Sequence, residues 1–232
     1  MKLTVIMPVY CEENTIEKIL RSVLSNLPNV FEVIVVDDGS TDNTVNILEQ
    51  FLLENPTYPI RLIKHSMNKG KTAALITGIQ NSKGDIVIIQ DADLEYDPKE
   101  IPAVIAPIES GFADVVYGSR FLVRRASRVL YFRHYLANKL ITFVSNLFTD
   151  MNFTDVETCY KSFRGDLIRN LKFSSSRFGF EIEVTAKISK LKCRVYEVPI
   201  SYYGRTYEEG KKIGWRDGFS ALYYILRYNL FD

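Results

Sequence analysis

The chain has 232 residues, 47% hydrophobic and 25% charged, with a formal net charge of +1. That length can bury a large core, and the even charge balance gives no global field that would draw nucleic acid. The three cysteines, Cys11, Cys159 and Cys193, lack metal-binding or CxxC spacing and read as reduced thiols. Residues 3–9 read as a strand with no basic, apolar leader ahead of it. Residues 14–27 read as a helix, because Ile16, Ile19, Leu20, Val23, Leu24 and Leu27 recur at helical spacing. A second strand, 31–36, runs into Asp37-Asp38-Gly39-Ser40, and Asp42 is placed to cap a helix reaching about Leu53. Strand 60–63, helix 71–81 and strand 86–90 follow, then a helix opened by Pro98 and a strand over 114–118. Beyond residue 120 the pattern becomes a basic, aromatic helix over 124–148, where Arg124, Arg125, Arg128, Arg133 and Lys139 interleave with large apolar residues. A helix over 181–190, a strand over 194–200, a polar loop over 204–214 and an aromatic C-terminal helix complete the pattern.

The alternation predicts an α/β fold, a mostly parallel sheet with helices on both faces and a helical C-terminal elaboration. Ligands of such sheets sit beyond the carboxyl ends of the strands. Asp91, Asp93 and Glu95 crowd one such end and Asp37 and Asp38 another. Carboxylates that close repel unless a cation neutralises them, and oxygen ligands select a hard ion, Mg²⁺ or Mn²⁺. The plainer reading of each pair is a solvated acidic turn that caps a helix. Asn68-Lys69-Gly70-Lys71-Thr72 lacks the first glycine of a P-loop, but its amides can line a site at a helix N-terminus. Glu157 and Lys161, four residues apart, read as an intrahelical ion pair. The loop carrying Arg205, Lys211 and Lys212 is either a solvated surface or a lid over a diphosphate. His65 and His134 have no partner at zinc-ligand spacing. No uncharged apolar run reaches the ~18 residues that span a bilayer, so the expected location is cytoplasmic or at the inner face of the membrane.

Taken in order, residues 5–13, 35–42, 68–71, 90–93, 118–121 and 205–212 closely resemble the family 2 glycosyltransferases of GT-A fold, nearest to the dolichyl- and polyprenyl-phosphate mannose or glucose synthases. The resemblance implies one glycosyltransferase domain over 1–232, with a nucleotide-sugar half at 1–122 and an acceptor half at 123–232. It implies that Pro8, Tyr10, Glu12, Asp37 and Asp38 hold the nucleoside of a sugar donor. Lys71, Asp91 and Ala92 would line the same donor, and Asp93 and Glu95 would hold Mg²⁺ or Mn²⁺. Glu95 stands where many relatives carry Gln. Arg120, Arg205, Lys211 and Lys212 would meet donor or acceptor phosphate.

The implied reaction is inverting hexose transfer from a GDP- or UDP-sugar to a polyprenyl phosphate, with Asp91, Asp93 and Arg120 at the reacting groups. A lipid phosphate is already anionic and needs no base. A saccharide hydroxyl acceptor would need one, with Asp155 or Glu157 as candidates. A nucleotidyltransferase and an inactive nucleotide-sugar-binding protein remain alternatives. The basic helix over 124–148 either packs on the sheet or lies at a membrane surface as a peripheral contact.

Overall fold

The computed structural model describes every residue except 123–127, 130, 176–178, 207, 209–214 and 232, and only the backbone of 215–217. Seven strands form one sheet: β1 (Leu3–Val9), β2 (Glu32–Asp37), β3 (Ile60–Lys64), β4 (Ile86–Ile89), β5 (Val115–Ser119), β6 (Lys161–Arg164) and β7 (Val195–Pro199). Their order across the sheet is β3-β2-β1-β4-β6-β5-β7. β6 runs antiparallel to both neighbours, and every other pair is parallel. The helices are α1 (Ile16–Asn26), α2 (Thr44–Glu54), α3 (Lys71–Asn81), α4 (Ile101–Glu109), α5 (Phe132–Thr149), α6 (Gly165–Asn170), α7 (Phe180–Lys190) and α8 (Trp215–Leu230).

Period-two alternation sends the strand side chains to opposite faces. Val5, Met7, Val33, Val35, Ile86 and Ile88 join α1, α2 and α4 in one apolar core. Ile6, Val87, Ile89, Val115 and Tyr117 join α3, α5, α7 and α8 in the other. Both faces are therefore covered, which is why the central strands read as nearly unbroken apolar runs.

Most expected strands and helices are present with shifts of a residue or two at their ends. The helix expected over 124–148 begins only at Phe132, with Arg128, Val129 and Tyr131 outside it, and the short helix α6 has no counterpart in the expected pattern. The strand pattern departs from expectation around residue 160. The reading of Glu157 and Lys161 as an intrahelical pair is overturned. Lys161 opens β6, and residues 157–160 form an irregular lead-in. Its orientation matters for the site. Lys161 pairs with Tyr117, and Ser162 with Ile88 and Val116. The start of an antiparallel strand thus lies at the carboxyl ends of its parallel neighbours. The lead-in that carries Asp155, Glu157 and Cys159 is delivered to the edge where β4 and β5 end.

Candidate active site

The loop after β4 holds the acidic run, with Asp91 on Lys71 and both Asp93 and Glu95 on Arg205. Asp91 accepts from Lys71 Nζ at 2.9 Å, at the first residue of α3. Lys71 also lies 3.4 Å from Glu181 and 3.0 Å from Cys159 Sγ. Burial disfavours its charge, but Asp91, Cys159 and Glu181 hold its pKa well above the usual lysine range. Asp93 Oδ1 accepts from the Glu95 amide, and its Oδ2 accepts from Arg205 Nη2 at 3.0 Å. Glu95 accepts from the Tyr202 hydroxyl and the Arg205 amide, both at 2.8 Å. Arg205 Nη1 lies 3.7 Å from Glu12, so one guanidinium spans three carboxylates from two strand-end loops. Burial, then the negative charge of Asp91 and Glu95, pushes Asp93 up to about 7 despite Arg205. Among the described residues, Asp91, Asp93, Glu95 and Glu12 face two paired cations here, Lys71 and Arg205.

The backbone here is forced into unusual shapes. Leu94, between Asp93 and Glu95, has φ 65°, and Cys11, after β1, has φ 53°. A non-glycine residue in this region costs about 1–3 kcal/mol and persists only where its surroundings over-determine it. Gly39 has φ 73°, and a Cβ there would lie 2.6 Å from the Met67 carbonyl carbon. The loop after β2 therefore packs directly on the 67–68 backbone.

At the ends of β1 and β2 the residues divide. Tyr10 is 39% exposed, while Pro8 is buried within β1. Asp37 Oδ2 accepts from the Gly39 and Ser40 amides, but its buried Oδ1 has no partner. Buried polar atoms are nearly always paired, so this oxygen is the best-placed acceptor for a ligand donor. Asp38 is committed internally. It accepts from His65 Nδ1 at 2.7 Å and from the Lys69 and Gly70 amides at 3.0 and 2.7 Å. His65 Nε2 faces Thr77 Oγ1 at 2.9 Å. Asp38 thus fixes the loop that opens α3. Ala92 turns its methyl into the core, leaving only its backbone at the site. Asp42 Oδ1 accepts from the Thr44 amide at the start of α2, but the N-cap position itself falls to Asn43, one residue later than expected.

The third cluster stands over β5 and β6. Arg120 grips Asp155 with Nε and Nη2, both at 2.7 Å, and its amide adds a bond at 3.1 Å. Asp155 is fully buried with both oxygens committed to Arg120, a poor arrangement for a base. Lys161, also fully buried, donates to the carbonyls of Val156 and Thr158. It pins the lead-in instead of pairing with Glu157. Glu157 Oε1 is buried without a partner. Burial, then Glu181, pushes this carboxyl up to about 7, with Lys161 and Arg120 opposing.

Lys211 and Lys212 lie outside the described residues, as do Arg124 and Arg125. Sequence reasoning missed His65, Tyr202 and Glu181. His65 carried a signal, as the residue after β3 in a sheet whose strand ends hold the site. Tyr202 and Glu181 carried none, because only the fold brings them to the acidic loop and to Lys71. Among the described residues, no three carboxylate, histidine or cysteine side chains converge closely enough to cage a metal. None of the described helices is long and apolar enough to cross a membrane.

A family model described as glycosyl transferase family 2 matches residues 4–171. The dolichol-phosphate mannosyltransferase of Pyrococcus furiosus is 27% identical over 217 residues, covering 92% of this chain and 60% of its own length. The undecaprenyl-phosphate 4-deoxy-4-formamido-L-arabinose transferase of Proteus mirabilis is 31% identical over 213 residues, covering 90% of this chain and 62% of its own length. The chain therefore spans about three-fifths of the length of these relatives. The glucosyl-3-phosphoglycerate synthase of Mycobacterium tuberculosis, crystallised with uridine diphosphate, superposes with a TM-score of 0.74 at 20% identity over 98% of this chain and 79% of that one. Another crystal structure of that enzyme, with Mn²⁺, uridine diphosphate and glucosyl-3-phosphoglycerate, gives a TM-score of 0.71 at the same identity, over 98% of this chain and 80% of that one. The sheet order and these superpositions identify a GT-A fold. With the family model covering the three acidic strand-end loops and the lead-in to β6, the chain belongs to glycosyl transferase family 2.

Proposed function

We propose that this chain transfers a hexose from a GDP- or UDP-sugar to a polyprenyl phosphate, with inversion at the anomeric carbon. The observation that carries the reading is the acidic loop after β4, where the carboxylates outnumber the cations among the described residues. Asp93 stands at about 7 beside Asp91 and Glu95, with Arg205 its nearest counter-charge. Such a loop accommodates a divalent cation with a diphosphate. Mg²⁺ and Mn²⁺ are commonly held by one or two carboxylates, with substrate phosphates completing the shell. Asp93 and Glu95 would hold the ion, which would neutralise the departing diphosphate. Asp37 Oδ1 would accept from the nucleoside, and Lys71 would hold Asp91 in place. Arg205, displaced from carboxylate to phosphate, would add charge where the leaving group develops it. An acceptor phosphate oxygen forms the new bond to the anomeric carbon as the bond to the donor's β-phosphate oxygen breaks. The nucleoside diphosphate leaves, and no proton need be removed.

The two relatives, whose names give dolichol phosphate and undecaprenyl phosphate, support the lipid acceptor. So does the surface of α5. Phe132, Leu136, Leu140, Phe143 and Leu147 form one exposed stripe, and α5 contains no carboxylate. Phe219, Tyr223, Leu226 and Leu230 are likewise exposed on α8, which packs against α5. A stripe of this kind flanked by Arg133 and Lys139 suits a peripheral contact with an anionic membrane at the cytoplasmic face. Residues 1–122 would form the donor half and 123–232 the acceptor half of one domain.

Glu157 supports a second reading. A carboxyl with a pKa of about 7 and one buried oxygen left unpaired is suited to take a proton from a saccharide hydroxyl. The test is turnover of a panel of nucleotide-sugars with Mn²⁺ or Mg²⁺, using a short polyprenyl phosphate and a set of saccharides as acceptors. Glycosylated lipid supports the first reading. A saccharide product supports the second, and no transfer from any donor contradicts both.

A further inference from the structure

Tyr202 lies just after β7, outside every strand-end motif, yet it touches both halves of the site. Its hydroxyl donates to Glu95 Oε2 at 2.8 Å. Its ring lies under the Arg120 guanidinium, 5.1 Å from its centroid, while that guanidinium grips Asp155. Behind it, Tyr96 packs at 5.4 Å between centroids, and Tyr160 stacks on Tyr96 at 5.0 Å. Tyr160 donates to the buried Gln90 at the end of β4, and the Tyr96 hydroxyl accepts from the Cys159 amide. Three tyrosines thus form a ladder from the sheet to the site, with Tyr202 at its outer end. Tyrosine suits this place: its two side-chain torsions are locked by packing, its face attracts a cation, and its hydroxyl reaches a carboxylate.

Building on the glycosyltransferase reading, we propose that Tyr202 is a positioning residue that couples the donor and acceptor sides of the site. The hydroxyl orients Glu95 and, through it, the Arg205 amide bonded to the same carboxylate. The ring face orients Arg120 toward the acceptor. Neither task needs Tyr202 to touch the reacting atoms. The two contacts use different parts of one side chain, so two substitutions separate them. Tyr202→Phe removes only the hydroxyl, and Tyr202→Leu removes the ring face as well.

The experiment measures three quantities on wild type and both variants. They are binding of UDP and of GDP with Mn²⁺ by calorimetry, steady-state constants for donor and polyprenyl phosphate, and Tm. For Tyr202→Phe the expected result is about tenfold weaker nucleotide binding with acceptor KM unchanged, and a Tm lowered only by the loss of one intramolecular hydrogen bond. For Tyr202→Leu it is the same loss plus an acceptor KM raised about three- to tenfold, the scale of a lost cation–π contact. A purely structural role would lower Tm and the active fraction without splitting the two constants. Wild-type binding and KM in both variants, or losses that follow Tm alone, overturn the proposal while leaving the glycosyltransferase reading intact. A wild-type protein that neither binds nucleotide nor transfers sugar overturns both.

Discussion

Replacing Glu157 by Gln separates charge from packing at the most perturbed carboxyl in the cluster over β5 and β6. Burial and Glu181 raise its folded pKa from 4.5 to about 7, so the folded protein keeps a proton that the unfolded chain releases. The sign follows. The stability contributed by this group is complete below the unfolded value and is lost as pH climbs through about 7. Glutamine carries no charge and escapes that loss. The gap corresponds to at most about 3 kcal/mol at 1.36 kcal/mol per decade of proton affinity. For a chain of this size that is a Tm difference of about 5–10 °C. The assay is thermal unfolding of wild type and Glu157→Gln at pH 5 and pH 8.5. Packing changes are common to both pH values and cancel in the comparison. The variant is expected to gain on the wild type between the two pH values by about 1–3 kcal/mol. A difference that stays flat, or that favours the wild type at high pH, refutes the reasoning. The same variant sorts the acceptors. Transfer to a lipid phosphate is expected within a few-fold of wild type, whereas loss of a general base costs about 10²–10⁴-fold.

Three further outcomes follow from the geometry. Asp93→Asn is expected to abolish transfer while Tm holds, and chelator should silence the wild type; full activity of the variant in chelator would refute the metal-site reading. Asp155→Asn removes the carboxylate charge from the bidentate, buried pair with Arg120, and is expected to destabilise by about 3–5 kcal/mol in urea unfolding. Phe143→Glu combined with Leu147→Glu is expected to abolish co-sedimentation with anionic vesicles without changing turnover of a soluble acceptor, since both side chains are well exposed on α5.

Much of the fold was legible because the physics is local. Strands such as Leu3–Val9 and Ile86–Ile89 are buried on both faces and read as apolar runs. Their ends are marked by abrupt acidic turns, so Asp37, Asp91, Asp93 and Glu95 could be placed at one edge of the sheet from sequence alone. β6 was not legible. It is four residues long, opens with a lysine, and is held by pairing with β4 and β5, which are distant in sequence. The assignment of partners was also beyond the sequence. Asp38 and Asp37 are adjacent, yet one is locked by His65 and two amides while the other keeps a bare oxygen. That distinction depends on where the 65–70 loop returns. Tyr202 acquires its place only when the segment after β7 crosses the loop after β4, a contact between residues 107 positions apart.

The most direct test of the central claim is the product itself. The protein is incubated with nucleotide-sugars, Mn²⁺ and a short polyprenyl phosphate, and the lipid is analysed by mass spectrometry and by NMR at the anomeric centre. The account requires a glycosyl polyprenyl phosphate whose anomeric configuration is opposite to that of the donor. Retained configuration, or unmodified lipid with every donor while a saccharide becomes glycosylated, would contradict it.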